Sequence, residues 1–242
     1  MLTREMREIL LTSKETGWVL EPQAKRFFSL AGLEVPRYFL AGQIEEAVRF
    51  AKSIGYPVVA KVVSPKVIHK SEKNGVEVGI GNERQLMGTF DRLSKIEGFA
   101  GVLIEEMVSG VELIIGAKND FQFGPVILLG LGGTWAEIYQ DVVLRMAPLM
   151  QKDIDSMKRC LRARPLLEGY RGAEPVDSEK LNKLLLTLSD LVMSLEHDFE
   201  SIDLNPVICN SSRCVIADAR IMLKNFTISP ITTQSHRGEG IF

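Results

Sequence analysis

Long hydrophobic runs are missing from this 242-residue chain, and no apolar stretch reaches the length needed to span a membrane. Its first residues, Met1-Leu2-Thr3-Arg4-Glu5-Met6-Arg7, lack the apolar core of a signal peptide. A cytoplasmic location is therefore expected. Cysteine is scarce: Cys160, Cys209 and Cys214 make neither a metal-binding pattern nor a secreted disulfide framework. Charge of one sign is not in excess either. The 29 Lys and Arg against 31 Asp and Glu leave a net charge of -2, which gives no general reason to expect nucleic-acid or membrane binding. Internal repeats and low-complexity tracts are also absent. What is present is ordinary for a globular protein, 45% hydrophobic and 25% charged, with enough length for one large domain or two small ones.

Periodicity divides the chain into alternating elements. Leu2, Met6, Ile9 and Leu10 recur at helical spacing up to about Thr16, and Gly17 stops them. Pro22 opens a second helix with Ala24, Phe27, Phe28 and Leu30 on its apolar side. Strands are predicted at 35–39, 57–63 and 75–80, with helices at 44–54 and 82–96. A second block begins near Gly101, with strands at 102–104, 111–117 and 126–129 and helices at 151–161 and 178–195. Residues 201–209 and 213–223 read as a hairpin. The elements interleave without a strict βαβ rhythm, so the fold class is α+β (mixed α/β) with two lobes. The tail from Asn225, rich in Ser, Thr and Gly, is either loose or ordered only by a partner.

Several residue groups carry possible chemistry. With the hairpin turn centred between Ser211 and Ser212, Asn205 lies opposite Asp218, their Cβ atoms roughly 5 Å apart, and Asp203 follows two residues along the same face. Two carboxylates and an amide oxygen suit Mg²⁺, although a solvated strand face with a capping Asp is an equal alternative. The same register sets Cys209 against Cys214, near disulfide distance, where reduced thiols are the expected state. Lys61 sits in the strand Pro57-Val58-Val59-Ala60-Lys61-Val62-Val63; it is aimed either at a nucleotide phosphate or, on an edge strand, at water. His69 lies in a loop with Lys66, Lys70 and Lys73, where a neutral imidazole is a competent nucleophile toward phosphorus and the lysines offset incoming charge. A solvated loop histidine is the plainer reading. Gly130-Leu131-Gly132-Gly133 ends an apolar strand and would let backbone N–H groups approach a phosphate, unless it is only a tight turn. Glu105, Glu106 and Met107 end another strand whose backbone could read an adenine edge, and Glu112 could accept ribose hydroxyls, but surface glutamates are far commoner than ribose ligands and by themselves these residues carry little.

Taken in order, these pieces resemble the β subunit of ADP-forming acetyl-CoA (acyl-CoA) synthetases, a branch of the ATP-grasp superfamily related to the succinyl-CoA synthetase β subunit. The resemblance rests on Tyr-Pro-Val-Val-Ala-Lys-Val-Val-Ser-Pro-Lys-Val-Ile-His-Lys-Ser from Tyr56 and Phe-Gly-Pro-Val-Ile-Leu-Leu-Gly-Leu-Gly-Gly from Phe123. It continues through Arg-Met-Ala-Pro-Leu from Arg145, Pro-Leu-Leu-Glu-Gly-Tyr-Arg-Gly from Pro165, Ile-Asp-Leu-Asn-Pro-Val from Ile202 and Ala-Asp-Ala-Arg from Ala217. It implies an ATP-grasp fold with the nucleotide cleft between two lobes: residues 1–98 for the N-terminal helices and first lobe, 99–224 for the second, and 225–242 as a tail. It implies ATP/ADP and Mg²⁺ as cofactors, with Lys61 on nucleotide phosphates and Glu105, Glu106 and Met107 as adenine hinge. Glu112 would hold the ribose, Asn205 and Asp218 would hold Mg²⁺ with Asp203 close by, and His69 would be the phosphorylatable histidine. The implied partner is an α subunit carrying the CoA-binding and ligase domains, in an α2β2 hetero-oligomer, without which this chain is expected to be inactive. A non-catalytic ATP-sensing module is the alternative. The family often has Asp-Ala-Gly-Gly where this chain has Glu72-Lys73-Asn74-Gly75, and Ile-Phe where it has Thr134-Trp135.

Overall fold

The computed structural model describes residues 2–67, 70, 73–133, 141–195 and 198–224. In chain order the elements are α1 (Arg4–Thr12), β1 (Trp18–Val19), α2 (Glu21–Leu30), β2 (Tyr38–Ala41), α3 (Ile44–Ile54), β3 (Val58–Val63), β4 (Val76–Ile80), α4 (Glu83–Leu93) and β5 (Gly101–Glu106). They continue with β6 (Val111–Asp120), β7 (Gly124–Leu131), β8 (Val142–Met146), α5 (Gln151–Cys160), α6 (Arg164–Leu167), α7 (Ser178–Ser194), β9 (Phe199–Cys209), β10 (Cys214–Ile216) and β11 (Arg220–Leu223). Local chemistry explains most boundaries. Asn82 accepts from the Gln85 N–H at 3.0 Å to start α4, and Asp177 accepts from Glu179 and Lys180 at 3.1 Å to start α7. A reciprocal Gln43–Glu46 pair opens α3, and Gly55 ends it at a φ of 87°. The strand expected at 35–39 begins only at Tyr38, and the short strands β1 and β8 were not foreseen as such.

Two antiparallel sheets form two lobes. The small sheet has the order β2-β5-β3-β4 and is backed by α3 and α4, whose Ala47, Ala51, Leu86 and Leu93 pack on Val58, Ala60, Val62 and Ile104. The large sheet runs β1-β11-β9-β6-β7-β8, with β10 also paired to β9. Its core joins Leu113, Ile115, Ile127 and Leu129 to Leu181, Leu185 and Leu188 of α7, and it also takes in Met6, Leu10, Phe27 and Phe28 of α1 and α2. A division after residue 98 therefore does not follow the sheets. β5 completes the small sheet, and the N-terminal helices pack into the core of the large lobe. The physical reason is that β1 pairs with β11, Trp18 opposite Met222, which draws the chain start onto the end of the large sheet. The cross-strand series Asp203, Gly116, Leu128, Leu144 marks the opposite face of that sheet, away from the helices.

Candidate active site

α2 carries its phenylalanines into the large-lobe core and turns Glu21 and Lys25, one helical turn apart, toward the small sheet. There they meet Lys61. Its strand, β3, lies between β5 and β4, so the edge-strand alternative fails, and Lys61 is only 6% exposed. The Lys61 Nζ donates to Glu21 Oε1 at 2.7 Å and to the Ala217 carbonyl at 2.6 Å, and lies 3.1 Å from Glu105 Oε2. Lys25 Nζ donates to the same carbonyl at 2.7 Å, pairs with Glu105 Oε1, and is 3.0 Å from Glu21 Oε1. Lys70 pairs with the second Glu21 oxygen and lies 3.9 Å from Asp218 Oδ1. Burial alone would drive each group neutral, yet the charges face one another. For Glu21, burial pushes the carboxyl up, but Lys61, Lys70 and Lys25 outweigh it and hold it well below the usual carboxylate range. For Lys61, burial pulls down and Glu105, Glu21 and Asp218 raise it well above the usual lysine value. Lys25 is lowered, because burial dominates and Lys61 repels it, against the pull of Glu105 and Glu21. Three ammonium groups so converge between the lobes, matched by the buried Glu21 and Glu105 carboxylates.

The Ala217 carbonyl that accepts from Lys61 immediately precedes Asp218. Around it, β10 and β11 keep one register on β9: Ile216 pairs with Val207 and Arg220 with Asp203. Residues 217–219 thus lie level with 204–206, and Asp218 with Asn205, as the hairpin arithmetic requires. The ladder is interrupted there, and the Pro206 carbonyl accepts from the Ala217 and Asp218 N–H groups at 3.0 and 3.3 Å. Asp218 is about one-third exposed and Asn205 is exposed. Asp203 differs: its Oδ2 accepts from the Arg220 guanidinium at 2.9 Å, so its charge is engaged. Asp218 Oδ1 accepts from the Ala219 N–H at 2.8 Å, and together Asn205 and Asp218 make a sparse oxygen pair of the kind that fits Mg²⁺, which keeps several waters. Among the described residues there is no cluster of three or more His, Cys, Asp or Glu arranged for a metal.

The remaining candidates separate. Glu105 is buried and belongs to the lysine cluster, while Glu106, on the other side of β5, accepts from Arg37 at 2.7 Å and from Arg213 at 2.8 Å. The Glu106 N–H is also used, by the Arg37 carbonyl at 3.0 Å, and Met107 after it is 44% exposed. Glu112 is exposed at the start of β6, with its carboxylate against Gly133: a Cβ built there would come within 2.6 Å of Oε2. The Gly132 N–H donates to the Glu112 carbonyl at 2.8 Å, and a Cβ on Gly130 would approach Val142 to 2.6 Å. Close strand packing thus accounts for these two glycines. Lys66 is drawn off to Glu97 at 2.8 Å. His69 lies outside the described residues, as does the tail from Asn225. Glu21 and Lys25 were missed; the signal was a Glu–Lys pair at helical spacing on the face shared with Ala24 and Phe28.

The ATP-grasp domain model matches residues 11–223. The β subunit of acetate–CoA ligase [ADP-forming] I from Pyrococcus furiosus is 38% identical over 90% of this chain and 97% of its own length. The chain is an ATP-grasp protein of that β-subunit family. Its ATP-grasp fold also spans 33% of the acetate–CoA ligase [ADP-forming] I of Archaeoglobus fulgidus, at 42% identity over 90% of this chain, so there the same unit is a third of a longer polypeptide. Among solved structures, acetyl-coenzyme A synthetase 1 of Ca. Korarchaeum cryptofilum is 40% identical, with a TM-score of 0.78, over 90% of this chain and 100% of the solved chain. That structure holds coenzyme A and Mg-AMPPCP, with a phosphohistidine segment pointing towards the nucleotide binding site.

Proposed function

We propose that this chain is the nucleotide-binding subunit of an ADP-forming acyl-CoA synthetase, which converts acyl-CoA, ADP and phosphate to the organic acid, ATP and CoA. The observation that carries the reading is Lys61: buried between the lobes, it reaches from the small sheet to the backbone beside Asp218 on the large one. Such a bridge would bring the phosphate lysine and the metal hairpin to one substrate. Lys61, with Lys25 and Lys70 behind it, would hold and orient phosphate oxygens; the chain at Glu105–Met107 would take the adenine edge and Glu112 the ribose. Asn205 and Asp218, with Asp203 close by, would hold Mg²⁺, which when bound offsets charge on the phosphates.

In the chemical step the neutral imidazole of His69 attacks the terminal phosphorus of ATP. A nitrogen–phosphorus bond forms, the bond to the bridging oxygen breaks, and ADP leaves; in the synthetic direction the same bonds are exchanged in reverse. The acyl group and CoA fall to an α subunit, in an α2β2 assembly in the cytoplasm. Among the described residues no helix is long and apolar enough to cross a membrane. The test is to mix the chain with its α partner and measure CoA- and phosphate-dependent ATP formation. His69→Asn should abolish turnover while nucleotide binding persists; unchanged turnover refutes the role. Acid-labile phosphate on His69 separates this reading from a nucleotide sensor, which need not form it.

A further inference from the structure

The chain passes between the lobes twice among the described residues: through residues 31–37, from α2 to β2, and through 107–110, from β5 to β6. Each crossing presents a glutamate, Glu34 within the first and Glu106 at the threshold of the second. One guanidinium joins them. Arg213 donates from Nε to Glu34 Oε1 at 2.5 Å and from Nη2 to Glu106 Oε1 at 2.8 Å. Its base is fixed in the large lobe, where Asn210 Oδ1 accepts the Arg213 N–H and the Arg213 carbonyl accepts the Asn210 N–H, both at 2.9 Å. The first crossing is tied down again by the Ile216 N–H, which donates to the Glu34 carbonyl at 2.9 Å. Arg37, at the end of that crossing, holds the other Glu106 oxygen. Burial pushes the Glu106 carboxyl up, but Arg213 and Arg37 more than reverse this and keep it below its ordinary value.

A planar fork with two separated donors can join two carboxylates in fixed geometry, which a single ammonium cannot do as rigidly. We propose that Arg213 is a positioning residue, a pin between both interlobe crossings that sets where the Glu105–Met107 segment stands relative to the Asn205–Asp218 hairpin. This rests on the cleft being the nucleotide site. Loosening the pin would let the two halves of that site drift apart without touching the reacting atoms, so the loss should fall on nucleotide KM rather than on kcat.

The experiment compares Arg213→Ala, Arg213→Lys, Glu106→Gln and the Arg213→Ala/Glu106→Gln double variant in the assembled enzyme. Arg213→Ala should raise the KM for ADP by roughly three- to tenfold, with kcat and the KM for acyl-CoA little changed. Arg213→Lys should recover only part of the loss, and the double variant should add nothing to the worse single one. Hydrogen exchange on the isolated, ligand-free chain should speed up at residues 107–110 in Arg213→Ala. A lowered Tm with unchanged nucleotide KM, or fully additive effects, would overturn the pin. Should the wild-type chain bind no ADP, the functional reading fails, while exchange at 107–110 still decides the pin: faster in Arg213→Ala supports it, unchanged refutes it.

Discussion

Glu21 is paired with three lysines, Lys25 on its own helix, Lys61 on β3 and Lys70 beyond that strand, so its removal should be felt far beyond one contact. Taking one partner from a buried ionic group leaves uncompensated charge, which costs about 3–5 kcal/mol. Glu21→Ala is expected to lose that much in urea unfolding, and Glu21→Gln less. The pH dependence follows from the depressed carboxyl. Its contribution is fully present above the ordinary glutamate pKa of about 4.3 and disappears as pH falls toward the folded value. Wild-type stability should therefore hold from neutrality to about pH 5 and drop below about pH 4.3, and the drop should be shallower in Glu21→Gln. On the proposed role, Lys61→Met would remove a charged donor to phosphate, an interaction contributing about 1.5–3 kcal/mol. Nucleotide affinity measured by calorimetry should then fall about 10- to 100-fold. His69 and the Asn205–Asp218 pair took their proposed roles from likeness to the family, while Lys61 stood out in the sequence as a lysine inside a β-branched strand. Glu21 and Lys25 were hidden for the opposite reason: a Glu–Lys pair on a helix is usual, and only packing shows that this one is buried.

At the scale of elements, the hairpin of β9 with β10 and β11 was legible in advance, because a turn signal and alternating strands determine register. The interruption at 217–219 was not, since it depends on the Pro206 carbonyl meeting two N–H groups across the strands. Cys209 and Cys214 face each other with free, buried thiols, and the hydrogen bond with Cys214 together with burial pushes the Cys209 thiol up. Iodoacetamide should label the exposed Cys160 under native conditions and these two only after unfolding; mass analysis of peptides reads the result. Gly110 sits where β6 leaves the second crossing, and a Cβ there would come within 2.3 Å of the Cys209 carbonyl oxygen. Gly110→Ala should destabilise by about 1–3 kcal/mol or more, read as a lower urea midpoint with an unchanged m-value.

At the scale of the molecule, the described residues form two sheets with a charged seam between them. Ligands that join the lobes should stabilise both: nucleotide at about 100 times its Kd adds about 2.7 kcal/mol to unfolding. We expect ADP to raise Tm further when Mg²⁺ is present. Asp218→Asn should remove that metal-dependent increment and leave the metal-free one, as thermal scans with and without Mg²⁺ would show. Sequence pattern located nearly every element, yet not the sheet that each strand joins. Sheet membership is decided by pairing between distant segments, and nothing local in Trp18–Val19 announces that it will lie on β11.

By itself the sequence determined the alternation of helices and strands and the hairpin register, while the class of chemistry and the residues proposed for it came from likeness to a family. Alternation and register depend on period, turn type and side-chain identity, all of them local properties. Tertiary structure alone decided that Lys61 is buried, that Glu21 and Lys25 stand behind it, that Asp203 is paired with Arg220, and that one arginine joins both crossings. Each of those facts is a meeting of charges brought together from remote parts of the chain, and such meetings follow from how the lobes pack rather than from any spacing along it.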